Sequence, residues 1–148
     1  MTCSIVKVYN NSNNELPVCA TSGAACVDLR VSSIEYKPDR IICHTGIHVE
    51  LPIDYCLEIY PRSSISKTGF YIPNAPGIVD SDYRGEITVV FRHVHNLNRE
   101  EFPYKIGDRC AQAKLVPITH IIWSSVNSIN DLSETQRGEG GYGSTGNN

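Results

Sequence analysis

The 148-residue chain has one Met, one Trp and three Phe, and no apolar run long enough to cross a bilayer. Its first residues, Met-Thr-Cys-Ser-Ile-Val-Lys, lack the charged-then-apolar order of a secretory leader, so we expect a soluble, cytoplasmic protein, in the host cytoplasm were the gene viral. There is no surplus of basic charge. Thirteen Lys and Arg stand against sixteen Asp and Glu, for a net charge of −3, which argues against nucleic-acid binding through a basic face. CxxC pairs are absent too: the six cysteines sit at 3, 19, 26, 43, 56 and 110, too scattered for a zinc site or a dense disulfide framework. Cys26, Cys56 and Cys110 lie in apolar, strand-like surroundings and read as small buried thiols. Disorder is excluded by 41% hydrophobic and only 20% charged residues, and the length suits one domain.

Helical periodicity is hard to find, whereas alternation recurs. Ile47-His48-Val49-Glu50-Leu51 alternates apolar and polar residues. In Tyr55-Cys56-Leu57-Glu58-Ile59-Tyr60, Leu57 and Ile59 share a face, and in the stretch 86–92 so do Ile87, Val89 and Phe91. Two further β-favouring runs, 110–116 and 118–123, flank Pro117, and both are expected to be strands. Eight prolines punctuate the chain at strand ends. This spacing predicts an all-β sandwich or barrel. Only Ser63 to Lys67 is expected to form a turn or a short helix.

The stretch 133–148 is different: it has no Leu, Ile, Val, Met, Phe or Trp, yet five of the eleven glycines. It cannot bury enough surface to offset its own ordering entropy. A solvated tail is the plainer reading; the other is an arm that orders over a ligand, with glycine N–H groups approaching phosphates. Arg137 and Tyr142, set among the glycines, favour the arm.

The densest polar cluster is Asn74-Ala-Pro-Gly-Ile-Val-Asp80-Ser-Asp82-Tyr83-Arg84-Gly85. Pro76-Gly77 marks a turn, and if 78–83 runs extended, Asp80 and Asp82 share one face and Tyr83 points the other way. A hairpin here would offer main-chain N–H and C=O groups to a planar ligand; a solvated acidic hairpin is the plainer alternative. Pro61-Arg62-Ser63-Ser64-Ile65-Ser66-Lys67 mixes two cations with three hydroxyls, a combination able to hold phosphate, or simply a surface turn. Gly107-Asp108-Arg109 is a turn whose charges suit an ion pair as well as a ligand, and Gln112, between Ala111 and Ala113, needs a hydrogen-bond partner. His93 and His95 alternate onto one strand face, but with no third ligand nearby a hydrogen-bonded pair outweighs a metal site. GxSxG, Walker A and HExxH patterns are absent. What remains is a carboxylate able to activate water and scattered groups suited to phosphate.

Together these segments resemble the five ordered motifs of the trimeric dUTPase family. The first is Ala24-Ala25-Cys26-Val27-Asp28-Leu29-Arg30, the second Pro61-Arg62-Ser63-Ser64 with Lys67 and Gly69, and the third runs from Asn74 to Gly85. The fourth is Gly107-Asp108-Arg109-Cys110-Ala111-Gln112, and the fifth Arg137-Gly138-Glu139-Gly140-Gly141-Tyr142-Gly143-Ser144-Thr145-Gly146. The family usually has Gly where Cys26 stands and often where Ser64 stands.

The resemblance implies a distorted jelly-roll-like β-barrel, with residues 1–132 as core and 133–148 as a flexible arm. It also implies a homotrimer whose active sites are shared between subunits. The implied activity is hydrolysis of dUTP to dUMP and pyrophosphate, which keeps uracil out of DNA and supplies dUMP for dTMP synthesis. Asp80 is the implied general base, and Arg62, Ser63, Gln112 and Arg137 the carriers of phosphate charge. Ser64, Gly143, Ser144 and Thr145 complete the phosphate contacts. Asn74 with the backbone of Gly77, Ile78 and Val79 reads uracil, Tyr83 packs under deoxyribose and Tyr142 stacks on the base. The implied cofactor is Mg²⁺ on the phosphates, with Asp28 as an outer-shell carboxylate through water. No nucleic-acid or membrane partner is implied. A dCTP deaminase of the same fold would need a glutamate base at the pyrimidine and lacks the glycine-rich arm; a nucleotide-switched regulatory module would not need Asp80.

Overall fold

The computed structural model describes residues 4–140, and these build an all-β architecture. Its strands are β1 (Lys7–Asn10), β2 (Val27–Arg30), β3 (Ser33–Tyr36), β4 (Ile41–His44), β5 (Ile47–Glu50), β6 (Tyr55–Pro61), β7 (Phe70–Tyr71), β8 (Gly77–Val79), β9 (Thr88–His93) and β10 (Arg109–Pro117). Helix is confined to 3-10 turns at Ser63–Lys67, Arg99–Glu101 and Ile129–Asp131 among the described residues. None is long and apolar enough to cross a membrane.

Two four-stranded sheets, ordered β2-β10-β6-β8 and β3-β4-β9-β7, are joined by a β1-β5 pair, and all pairings are antiparallel. The chain crosses repeatedly between the two large sheets, as a jelly-roll-like sandwich requires. Alternation becomes burial where it was expected: Ile47 and Val49, Leu57 and Ile59, and Ile87, Val89 and Phe91 all lie in one apolar core. Cys110 is buried as expected, but Cys26 lies just before β2 and Cys56 within β6, both only partly covered. A register slip between Arg109 and Ala111 lets Cys110 and Ala111, adjacent in sequence, both point inward.

Two expectations fail. Residues 118–123 do not continue as a strand: Ile121, Ile122 and Trp123 are 68%, 94% and 87% exposed, because Pro117 ends β10 and no strand among the described residues lies beyond it to pair with. Nor do β7 and β8, on either side of the 73–76 turn, form a hairpin. β7 joins β9, and β8 joins β6 in the other sheet. The extended run also stops early. β8 ends at Val79, and the Tyr83 N–H donates to the Asp80 carbonyl, closing a turn.

Candidate active site

That turn and strand line a cleft of about 170 Å³, which brings together Asn74, Gly77, Ile78, Val79, Asp80, Tyr83 and Glu86. β8 is an edge strand, so among the described residues no strand pairs with its outer side, and main-chain donors and acceptors of 77–79 face the cleft. Gly77 leaves room for Asn74: a Cβ there would come within 3.3 Å of the Asn74 Nδ2. Tyr83 folds back over Gly85, and its phenol donates to the Glu86 carbonyl at 3.1 Å. A Cβ on Gly85 would overlap the Tyr83 oxygen and ring, so a larger residue here would displace the phenol, while the backbone angle itself sets no demand for glycine.

The segment 83–87 is in turn held by the turn between β4 and β5. Glu86 accepts the Gly46 N–H at 2.7 Å on one carboxylate oxygen and meets His44 Nδ1 at 2.9 Å on the other. The Thr45 hydroxyl donates to the Ile87 carbonyl at 2.6 Å, and the Ile87 N–H to the Ile47 carbonyl at 2.8 Å. Burial alone would raise the Glu86 carboxyl; the His44 ring and the Gly46 N–H outweigh it and hold the group below its ordinary value. None of this bracing is visible in sequence, since its partners are some 40 positions apart and follow no local pattern.

A second cluster sits where β6 ends. Asp28 on β2 accepts the Arg62 Nε at 3.0 Å and an Arg109 Nη1 hydrogen at 3.1 Å, one on each oxygen. Arg62 also donates to the Arg109 carbonyl at 3.1 Å, and Gln112 to the Pro61 carbonyl at 2.9 Å, the partner its apolar neighbours demanded. Ser63 and Ser64 open the 3-10 turn that follows, whose start no side chain caps. The Tyr104 hydroxyl is buried nearby, close to Ser64 and Arg62, and burial raises its pKa. The Asp108 carboxylate is spent on the Lys105 N–H at 3.0 Å, so the 105–108 turn is structural. His93 packs against Phe70 and takes the His95 N–H, a hydrogen-bonded pair as expected.

One chain does not unite the two clusters. Val79 is level with Leu57 on β6, whereas Arg62 lies five positions further along, roughly 17 Å away at about 3.3 Å per residue. Arg137 is in neither cluster: it is exposed and donates to the Gly140 carbonyl at 2.9 Å. Tyr142, Gly143, Ser144 and Thr145 lie outside the described residues.

Comparison with known proteins resolves the class. A family model described as dUTPase matches residues 12–146. The chain belongs to the dUTPase family. Its relatives include the deoxyuridine 5'-triphosphate nucleotidohydrolases of Finegoldia magna, 41% identical over 95% of this chain and 98% of the relative, and of Anaplasma marginale, 39% identical over 96% of each. Among solved structures, a mutant dUTPase of Staphylococcus bacteriophage 80alpha with dUpNHpp superposes with a TM-score of 0.79 at 21% identity, covering 96% of this chain and 98% of that one. A mutant dUTPase from phage phi11 of S. aureus, described with a structural Mg(II) ion, reaches 0.69 at 19% identity over 85% and 99%. At such identities the likeness is one of fold.

The donor set limits how a dUTPase-family chain of this sequence could hold a metal. No three His, Cys, Asp or Glu side chains converge among the described residues. A protein cage is thus missing there, while Asp28, a quarter exposed, keeps lone pairs free for water beside its two arginines. Asp28 fits an outer contact, through water, to a cation carried by ligand phosphates.

Proposed function

We propose that this chain hydrolyses dUTP to dUMP and pyrophosphate, keeping uracil out of DNA and supplying dUMP. The observation that carries the reading is the cleft, in which a carboxylate, an amide and a tyrosine surround the open edge of β8 in a chain of the dUTPase family. Asn74 and the main chain of Gly77, Ile78 and Val79 bind the uracil edge, in a slot too narrow for a thymine methyl. Tyr83 lies under the deoxyribose. Asp80, exposed beyond the strand end, takes the proton of a water that attacks the α-phosphorus, and the electron pair of the breaking P–O bond leaves on pyrophosphate.

Arg62, Ser63, Ser64 and Gln112 hold the phosphate chain, and Asp28 keeps Arg62 turned toward it. Mg²⁺ bound to the phosphates would neutralise charge, with Asp28 touching it through water. Residues 133–148 serve as an arm over a 1–132 core, placing Arg137 and the Gly143, Ser144 and Thr145 N–H groups on phosphate and Tyr142 on the base.

We further propose that the working form is a homotrimer with shared sites. Two observations support this: the roughly 17 Å along β6 between the clusters, and the bare Ile121, Ile122 and Trp123. An apolar hollow of about 540 Å³, lined by Val6, Val8, Leu16, Val27 and Leu115 among others, offers a second copy matching surface.

The test is pyrophosphate release from dUTP, dTTP, UTP and dCTP side by side with Mg²⁺, with ammonia release from dCTP as the deaminase control. Release from dUTP alone is expected. Replacing Asp80 by Asn should lower turnover by roughly two to four orders of magnitude while a non-hydrolysable analogue still binds. Retained turnover would shift the base to another residue, Asp82 first.

A further inference from the structure

We propose that Glu86 is a positioning residue for sugar discrimination, fixing the main-chain carbonyl on which the Tyr83 phenol rests. The inference depends on the reading of Tyr83 as the surface under the deoxyribose. Glu86 lies three residues beyond Tyr83, and its side chain points away from the phenol toward the turn between β4 and β5. There its two oxygens are used separately: one accepts the Gly46 N–H at 2.7 Å and the other meets His44 Nδ1 at 2.9 Å. Its carbonyl is left to accept the Tyr83 hydroxyl at 3.1 Å. Side chain and main chain of one residue therefore link a rigid turn to a ring that lines the cleft.

The anchor itself has little freedom. Gly46 has a φ of +69°, and a Cβ there would come within 2.7 Å of the Ser12 Cβ, so the turn is pressed against the bend that follows β1 on its other side. The Asn11 N–H donates to the Gly46 carbonyl at 2.7 Å. Thr45 is buried and donates to the Ile87 carbonyl, and His48 Nδ1 donates to the Arg84 carbonyl at 3.0 Å. Bonds to residues 84, 86 and 87 thus bracket the carbonyl that receives the phenol. Of these, the pair of bonds on Glu86 is the one that acts on the accepting residue itself, and a side-chain change removes it without touching the core. A Tyr83 hydroxyl with a fixed acceptor holds the ring edge at one distance beneath the sugar, and a ribose 2′-hydroxyl then meets carbon instead of a yielding side chain.

The experiment compares kcat/KM for dUTP and UTP in the full-length protein, for wild type, Glu86→Ala, Glu86→Gln and Tyr83→Ala, alongside thermal midpoints. Tyr83→Ala should narrow the dUTP preference most. Glu86→Ala should narrow it by about three- to tenfold, the range expected from one lost positioning hydrogen bond. Glu86→Gln retains an acceptor for the Gly46 N–H and should restore most of the preference. A purely structural role would lower both substrates together and leave their ratio unchanged. An unchanged ratio in Glu86→Ala, with a narrowed one in Tyr83→Ala, overturns the proposal and spares the reading of Tyr83. An unchanged ratio in Tyr83→Ala overturns both. Should Glu86→Ala fail to fold, His44→Ala, which frees one carboxylate oxygen and leaves the Gly46 bond, is read instead: a smaller narrowing supports the proposal and an unchanged ratio refutes it.

Discussion

Gly85 is dictated by the side chain two positions before it. The Tyr83 ring occupies the space a Cβ would need, so Gly85→Ala must push the phenol off the Glu86 carbonyl. The backbone itself tolerates alanine, since no positive φ is involved. We therefore expect a kcat/KM for dUTP reduced about tenfold, with a thermal midpoint lowered by only a few degrees; a fully active Gly85→Ala enzyme would mean the ring is free to sit elsewhere. Glu86 yields a prediction in pH. Its folded-state pKa is held below the unfolded 4.5, so the stability it contributes is complete above that value and fades as pH falls through the lowered one. Glu86→Gln should consequently be less stable than wild type at neutral pH, and the difference should shrink in acid melts below pH 4.5. A difference independent of pH would show that charge is irrelevant to the bond.

Three strands meet at Asp28, from β2, the end of β6 and the start of β10. Because the carboxylate and both guanidinium groups remain partly open to water, the cluster is worth little compared with the core. Asp28→Asn should cost about 1 kcal/mol in a urea titration at low salt, and less at high salt, where screening has already weakened the pairs. At the level of elements the sequence is most legible where one face is buried, as in β5, β6 and β9, since period-two alternation is the direct imprint of a half-buried sheet. Residues 118–123 carry the same β-favouring composition and form no strand, because composition does not supply a neighbour to pair with. The stretch 92–105 carries no periodic pattern for the opposite reason. Phe102 packs against Phe70 and Phe91, and Tyr104 against Phe91, with ring centroids 5.2–5.5 Å apart, contacts made by an aperiodic connection. The third motif showed its chemistry but not its geometry: nothing local distinguishes a hairpin from two strands that part into different sheets.

For the whole molecule, the decisive length is that of β6. Asp80 lies beyond the end of β8 level with the start of β6, and Arg62, Ser63 and Gln112 gather at its far end. On the proposed shared-site reading, a nucleotide touching both groups borrows one of them from another copy. Mixing Asp80→Asn chains with Gln112→Ala chains under conditions of proven subunit exchange should therefore regenerate activity absent from either parent, since some sites then pair an intact Asp80 with an intact Gln112. A mixture as inactive as its parents would place the whole site within one chain.

On the proposed reading, base selection through the open edge of β8 is hard to lose by mutation. Peptide N–H and C=O groups are the same whichever residues are encoded at 77–79, so a codon change there alters packing and leaves the pattern of donors and acceptors intact. Proline is the exception, because it deletes an N–H. Drift can slow such an enzyme more readily than it can teach it to accept another base, and a lineage seeking a new pyrimidine would have to move the strand itself.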